Sequence, residues 1–289
     1  MIYILYNPLA GNRTCEERCK SVGDIFGSDE KEYIDLLTID DLEGFIKGMK
    51  PDDQIVICGG DGTLNTIINS INTFRLEQDI LYYPGGSGND FYRDIDEERK
   101  NGVYRINRYL KNLPTVKVKD IERYFLNGIG FGLDGYCCEE GDKKRIASPG
   151  KKVNYSLIAL KGLLYGYKKT IAKVTVDGIT EEYKDVWMAA TMNGRFYGGG
   201  MMCAPNQNRL NEDGLVSVII VHSRSRIALL CAFLSVFKGQ HVKYKKLVSE
   251  IKGTYVKVVF DRPTALQIDG ETVTDVTEYV VSKEKKIIC

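Results

Sequence analysis

Histidine is almost absent from this chain: among 289 residues, only His222 and His241 occur. The eight cysteines, Cys15, Cys19, Cys58, Cys137, Cys138, Cys203, Cys231 and Cys289, show no C-x-x-C spacing. These spacings argue against a zinc site, and the scattered thiols are expected to be reduced, as in a cytosolic protein. Long apolar runs are missing too. The longest uncharged one, Ile227–Phe237, falls well short of the ~20 residues that span a bilayer. Neither sign of charge is in excess. Forty Lys and Arg stand against 39 Asp and Glu, a net charge of +1, which leaves no global electrostatic case for nucleic acid. No basic leader precedes the apolar run Ile2–Tyr6, so no signal peptide is expected. A cytoplasmic protein is expected, and any contact it makes with a membrane would be peripheral.

What is present is organised around Gln54–Asn72, QIVICGGDGTLNTIINSIN. Gln54–Cys58 is a short run rich in β-branched residues, as in a central parallel strand. Leu64, Ile67, Ile68 and Ile71 recur with helical spacing. Between them, Gly59, Gly60 and Gly62 would let backbone amides approach an anion at a helix N-terminus. Asp61 would repel a bare phosphate. It fits if Mg²⁺ or an ordered amide or hydroxyl network lies between them. A plain tight turn with Asp61 as a helix cap fits the same residues.

Two further strand–loop–helix units precede and follow. Ile2–Tyr6 runs into Asn7-Pro8-Leu9-Ala10-Gly11, with Arg13 beyond it and a helix expected over about Thr14–Phe26. Asp79–Tyr83 runs into Pro84-Gly85-Gly86-Ser87-Gly88-Asn89-Asp90-Phe91. Loops that follow parallel strands share one sheet edge. Near Leu113-Pro114 the pattern changes to period-2 alternation, so a doubly wound α/β domain over 1–113 and a strand-rich, β-sandwich-like domain over 114–289 are expected. Later features are Arg123–Asp134 (RYFLNGIGFGLD), Asn208–Val218 (NRLNEDGLVSV), an apolar helix over Ser225–Lys238 trailed by lysines, and Gln267-Ile268-Asp269-Gly270-Glu271. Asp-Gly is a common hairpin turn, so that last segment reads equally as a turn.

Several of these segments resemble one family. GGDGTLN is similar to the signature of the diacylglycerol kinase catalytic domain superfamily, which includes bacterial lipid kinases and sphingosine kinases. The Asn7–Gly11 loop resembles its N-P-x-x-G motif, and Gly86–Arg93 its G-T-x-N-D-F-A-R segment, with Ser87 for threonine and Tyr92 for alanine. Asn127, Gly130 and Asp134 match a further N-x-x-G-x-G-x-D segment. The resemblance implies an ATP-dependent kinase acting on a lipid alcohol such as diacylglycerol. Asn7, Pro8, Gly11, Gly59, Gly60, Gly62, Thr63, Asn65, Ser87, Asn89 and Asp90 would hold the nucleotide. Asp61 would organise a catalytic Mg²⁺ or the phosphate loop. Asp269 would be the general base, with Glu271 as a second acid, in a cleft between the domains. It also implies a structural magnesium at Asp213 with the carbonyls of Leu210 and Leu215. The acceptor lipid and the oligomeric state, a homodimer included, stay open. NAD kinases share GGDGT, so NAD kinase is the nearest alternative, although they lack the Gly86–Phe91 pattern. A non-catalytic lipid- or nucleotide-binding module on the same fold is the other.

Overall fold

The computed structural model describes residues 1–8, 10, 15–71, 78–86, 88–95, 102–148, 151 and 153–283, with the backbone alone for 15–18. The chain divides into two compact units, Met1–Lys111 and Asn112–Cys289.

The first unit alternates strands and helices: β1 (Ile2–Tyr6), α1 (Cys15–Asp24), β2 (Lys31–Asp35), α2 (Leu42–Lys47), β3 (Gln54–Gly59), α3 (Asp61–Ile71), β4 (Asp79–Pro84), α4 (Asp90–Asp94), β5 (Tyr104–Arg105) and α5 (Asn107–Leu110). The sheet order is β2-β1-β3-β4-β5. The first four strands are parallel and β5 is antiparallel. β3 is central and buried along almost its whole length, which explains its unbroken apolar run. α3 buries Leu64, Ile67, Ile68 and Ile71, the four residues that recur at helical spacing. Register matters most for the site. Tyr6 lies beside Cys58, and Gly59 beside Pro84, so the loops after β1, β3 and β4 leave one edge of the sheet, where open α/β sheets bind ligands.

Cys19 of α1 and Cys58 of β3 are joined as a disulfide, with Cα atoms 6.1 Å apart. The expectation of reduced thiols fails for this pair. Helix α1 packs over β1 and β3, a tertiary proximity that their separation of 39 residues hides. Cys137, Cys138, Cys203 and Cys231 are free.

The second unit contains β6 (Thr115–Val118), β7 (Ile121–Tyr124), β8 (Gly128–Gly132), α6 (Leu133–Ala147), α7 (Tyr155–Lys161), a π-helical turn (Gly162–Gly166), β9 (Thr170–Val176), β10 (Ile179–Met192), β11 (Val216–His222), α8 (Arg226–Ser235), β12 (Val248–Gly253), β13 (Tyr255–Ile268) and β14 (Glu271–Ser282). Its strands form an antiparallel sheet ordered β12-β11-β10-β8-β13-β14-β6-β7, with β9 pairing to both β10 and β13. The inward-facing residues of these strands share one core in which Phe131 stacks on Phe260 with ring centroids 3.9 Å apart. A second layer of α6, α7, the π-helical turn and α8 gathers around Trp187. β13 runs unbroken through Pro263 because its pairing with β14 shifts register between Val259 and Leu266. At such an irregularity a proline's missing N–H costs no ladder bond.

Candidate active site

In the first unit the two glycine loops meet backbone to backbone. A Cβ on Gly86 would lie 2.4 Å from the Gly60 Cα, and one on Gly60 would lie 2.9 Å from the Gly86 Cα. Only glycine at both positions permits that approach. The Gly85 N–H donates to the Gly59 carbonyl at 2.8 Å. Asn89 sits in the left-handed region, φ 54°. There its side chain accepts from the Gly86 N–H at 3.0 Å and donates to the Gly86 carbonyl at 2.8 Å. Asp61 ties the loops together. Its carboxylate accepts from the N–H groups of Asp90 and Phe91, at 2.9 and 2.8 Å, and so caps α4. An amide network therefore surrounds the Asp61 carboxylate, and it stands at the first turn of α3.

Thr63 and Asn65 are buried within α3, and Thr63 packs on Gly59. Gly62 differs from its neighbours: a Cβ there would meet nothing within 4 Å. The protein itself therefore imposes no steric need for glycine at Gly62. Asn7 and Pro8 are half-buried at the end of β1. Gly11, Arg13, Thr14 and Ser87 lie outside the described residues.

In the second unit Asp269 and Gly270 both have positive φ, 47° and 92°, and form the two-residue turn joining β13 to β14. The Asp269 carboxylate accepts from three consecutive backbone N–H groups, those of Leu126 at 2.5 Å, Asn127 at 2.8 Å and Gly128 at 3.0 Å. These donors complement a negative charge. The Gln267 side chain accepts from the Gly270 N–H at 2.7 Å. Glu271 is 58% exposed and pairs with Arg123 at 2.6 Å, and Arg123 also donates to the Ile268 carbonyl at 3.3 Å.

Behind the turn lies a polar network that sequence reasoning missed. Arg209, buried in a polar loop, donates to the Leu126 carbonyl at 3.2 Å and to the Asn127 side chain at 3.0 Å. Lys283 donates to Asn193 at 2.9 Å and to the Arg209 carbonyl at 3.2 Å. Arg209 thus holds the Leu126–Asn127 segment whose amides bind Asp269, and Lys283 in turn holds Arg209 and Asn193. An arginine inside a stretch as polar as Asn206–Asn211 gives no sign of burial, and its partners come from strands far away in sequence.

Asp134, in the first turn of α6, is half-buried beside the same turn, with its Oδ2 shielded from solvent. Its side chain lies over Gly130, where a Cβ would come within 2.0 Å of Oδ2, and Gly130 pairs with Gln267. Burial pushes the Asp134 carboxyl up to about 6, against smaller opposing effects of the Tyr197 hydroxyl and the Gln267 amide. Its Oδ2 has no hydrogen-bond partner among the described residues. The folded carboxyl thus binds its proton more tightly than the unfolded one at 3.8. Its stabilising contribution is complete below pH ~4 and is lost as pH rises through ~6. At about 1.4 kcal/mol per pH unit the loss reaches roughly 3 kcal/mol. Asp134→Asn should therefore unfold at higher denaturant than the wild type at pH 8, with the difference vanishing near pH 4. Parallel unfolding curves across that range would refute the assignment.

The loop expected to hold magnesium is closed by side-chain amides. The Leu215 carbonyl accepts from Gln207 and from Asn211, each at 2.8 Å, and Asn211 also accepts from the Leu215 N–H at 2.6 Å. Asp213 is exposed. A cation using Leu210, Asp213 and Leu215 would need one of those amides to release the carbonyl, so the donor set as arranged does not fit an open oxygen cage.

A doubly wound domain with paired glycine loops, followed by a β-sandwich-like domain presenting an Asp-Gly-Glu turn, defines a two-domain kinase class. Residues 1–118 match the diacylglycerol kinase catalytic domain, and residues 127–284 match the YegS C-terminal NAD kinase beta sandwich-like domain. The chain belongs to the diacylglycerol kinase-like family of lipid kinases that joins these two domains. It is 26% identical over 273 residues to a diacylglycerol kinase of Mycobacterium tuberculosis, covering 88% of this chain and 82% of that one. It is 29% identical over 211 residues to a Bacillus subtilis protein named as a proposed lipid kinase, YtlR; the match covers 66% of this chain and spans 65% of that relative's length. A Bacillus anthracis structure described as a diacylglycerol kinase superposes with a TM-score of 0.68, at 18% identity and with 98% and 94% of the two chains covered. That likeness concerns the fold alone.

Proposed function

We propose that this protein transfers the γ-phosphoryl group of ATP to the hydroxyl of a lipid alcohol such as diacylglycerol, at a membrane surface. The observation that supports it most is the meeting of two glycine loops at the N-terminus of α3, with open space over Gly62. Amides of Gly59, Gly60, Gly62 and Thr63, with the Asn7–Gly11 loop, hold the triphosphate through N–H donors and the helix dipole. Asn65, Ser87, Asn89 and Asp90 complete the nucleotide site. Asp61 acts by fixing the two loops relative to each other, since amides already surround its carboxylate.

The acceptor oxygen attacks the γ-phosphorus, the bond to the bridging oxygen breaks, and ADP leaves. Asp269 takes the proton released by the hydroxyl, an effect of roughly 10²–10⁴ in rate. Glu271, held by Arg123, stands as the second acid. The remaining acceleration comes from positioning and charge stabilisation. The reading requires that a phosphate held by the first unit reach the carboxylate of the second. A magnesium ion at Leu210, Asp213 and Leu215 has the closed Leu215 carbonyl against it.

The test supplies γ-labelled ATP with either diacylglycerol micelles or NAD. Label is expected in a lipid product and not in NADP. Labelled NADP would establish the alternative kinase, and ATP binding without transfer to any lipid of a panel would establish a binding module.

A further inference from the structure

We propose that the outer face of α8, together with the π-helical turn beside it, docks this protein on an anionic phospholipid bilayer. Helix α8 is apolar on all sides: after Arg226 it reads IALLCAFLS. A helix of that kind is normally buried all round. Here the inner side packs Leu229 against Trp187 and Leu163. The outer side carries Ile227, Cys231 and Leu234 in one stripe at i, i+4 and i+7. Ile227 is 78% and Leu234 70% exposed, and no described part of the chain covers them. The stripe continues into the π-helical turn, where Tyr165 is 70% exposed. Arg226 fastens the two pieces by donating to the Leu163 carbonyl and lying over the Trp187 ring. An exposed apolar patch of this kind marks a partner surface.

Charge identifies the partner. Residues 143–176 and 214–249 contain no aspartate or glutamate, although the whole chain is nearly neutral. These two stretches supply α7, the π-helical turn, α8 and the lysine-rich turn after it. Lys161, Lys238, Lys243, Lys245 and Lys246 are exposed and pair with no carboxylate among the described residues. Lys169 and Arg224 share Asp185 and so contribute less. An apolar stripe bordered by unpaired lysines matches acyl chains beneath anionic headgroups. A second copy of the chain fits poorly, because a two-fold interface would set these lysines against each other. No helix among the described residues is long and apolar enough to cross a membrane, so a lipid acceptor must be met by a surface. The inference rests on the proposed lipid acceptor for its purpose, though not for its geometry.

The test measures co-sedimentation with vesicles of phosphatidylcholine alone or with a quarter phosphatidylglycerol. The wild type is expected to bind the anionic vesicles and to be released by salt. Ile227→Asp with Leu234→Asp, and separately Lys238, Lys243, Lys245 and Lys246 each changed to Glu, should each weaken binding by at least about tenfold. All these sites are exposed, so thermal melting should not change. Turnover of a water-soluble short-chain diacylglycerol should also be retained. Failure of the wild type to bind anionic vesicles, or unchanged binding by both variants, would overturn the proposal. So would a concentration-dependent dimer that the same substitutions abolish. Vesicle binding as expected, with no phosphorylation of the short-chain lipid by the wild type, would retain the docking face and reject the kinase reading.

Discussion

Asp269→Asn should lose about 10²–10⁴ of the phosphoryl-transfer rate and also lower stability by about 1–3 kcal/mol. The second effect follows from the three N–H groups of Leu126, Asn127 and Gly128 that converge on the carboxylate. An asparagine amide must turn an NH₂ toward at least one of those donors, which leaves it unsatisfied. Asparagine tolerates the left-handed backbone that position 269 adopts, so the turn itself should survive. Rates should be measured below the variant's unfolding transition, with circular dichroism confirming a folded chain. A folded variant with near-normal turnover would remove Asp269 from the chemistry. Equal stability would show that the amide cradle does not operate in solution.

The glycine loops give the second large effect. Gly86→Ala places a methyl group 2.4 Å from the Gly60 Cα. Backbone cannot swing aside as a side chain can, so the loops must separate. A cost of about 1–3 kcal/mol in stability is expected. Displacing the phosphate site by even ~1 Å should lower the transfer rate by about 10²-fold. Gly62→Ala is the informative companion. Its Cβ meets nothing, and alanine in a helix is favoured over glycine by up to about 1 kcal/mol, so melting should hold or rise. ATP affinity, measured by calorimetry, should nevertheless fall by about tenfold or more, since a charged hydrogen bond of about 1.5–3 kcal/mol is obstructed. If Gly62→Ala binds ATP as well as the wild type, the phosphates do not lie over α3.

Elements whose residues carry their own periodic signal were legible in the sequence. β3 and α3 are the clearest: an apolar β-branched run, a glycine turn, then four aliphatics at helical spacing. α8 and β4 are similar. β2 gives way at Leu36 to a short 3₁₀ turn capped by the Asp35 side chain, an Asx-type bond that leaves no periodic signal in the sequence. Helix α6 went unforeseen. Its sequence, LDGYCCEEGDKKRIA, holds two glycines and almost no apolar stripe, so neither propensity nor period announces it. β13 passes through Pro263, a residue that ordinarily ends a strand, because a register shift in its pairing with β14 accommodates it. In the site, the motif residues could be named but not their bonds. Asp61 as a tie between two loops, Arg209 behind Leu126 and the disulfide between Cys19 and Cys58 all depend on contacts between segments remote in sequence. The face of α8 that lies open could not be read either, since the helix is apolar on every side.

Transfer of phosphate from ATP to a lipid hydroxyl can be followed directly in the lipid product. The most direct measurement incubates the protein with γ-labelled ATP and a total lipid extract, then identifies labelled species by mass spectrometry. Lipids that have gained one phosphoryl group, formed in step with ADP and absent with Asp269→Asn, are the predicted result. Label found only in inorganic phosphate or in a soluble nucleotide would contradict it.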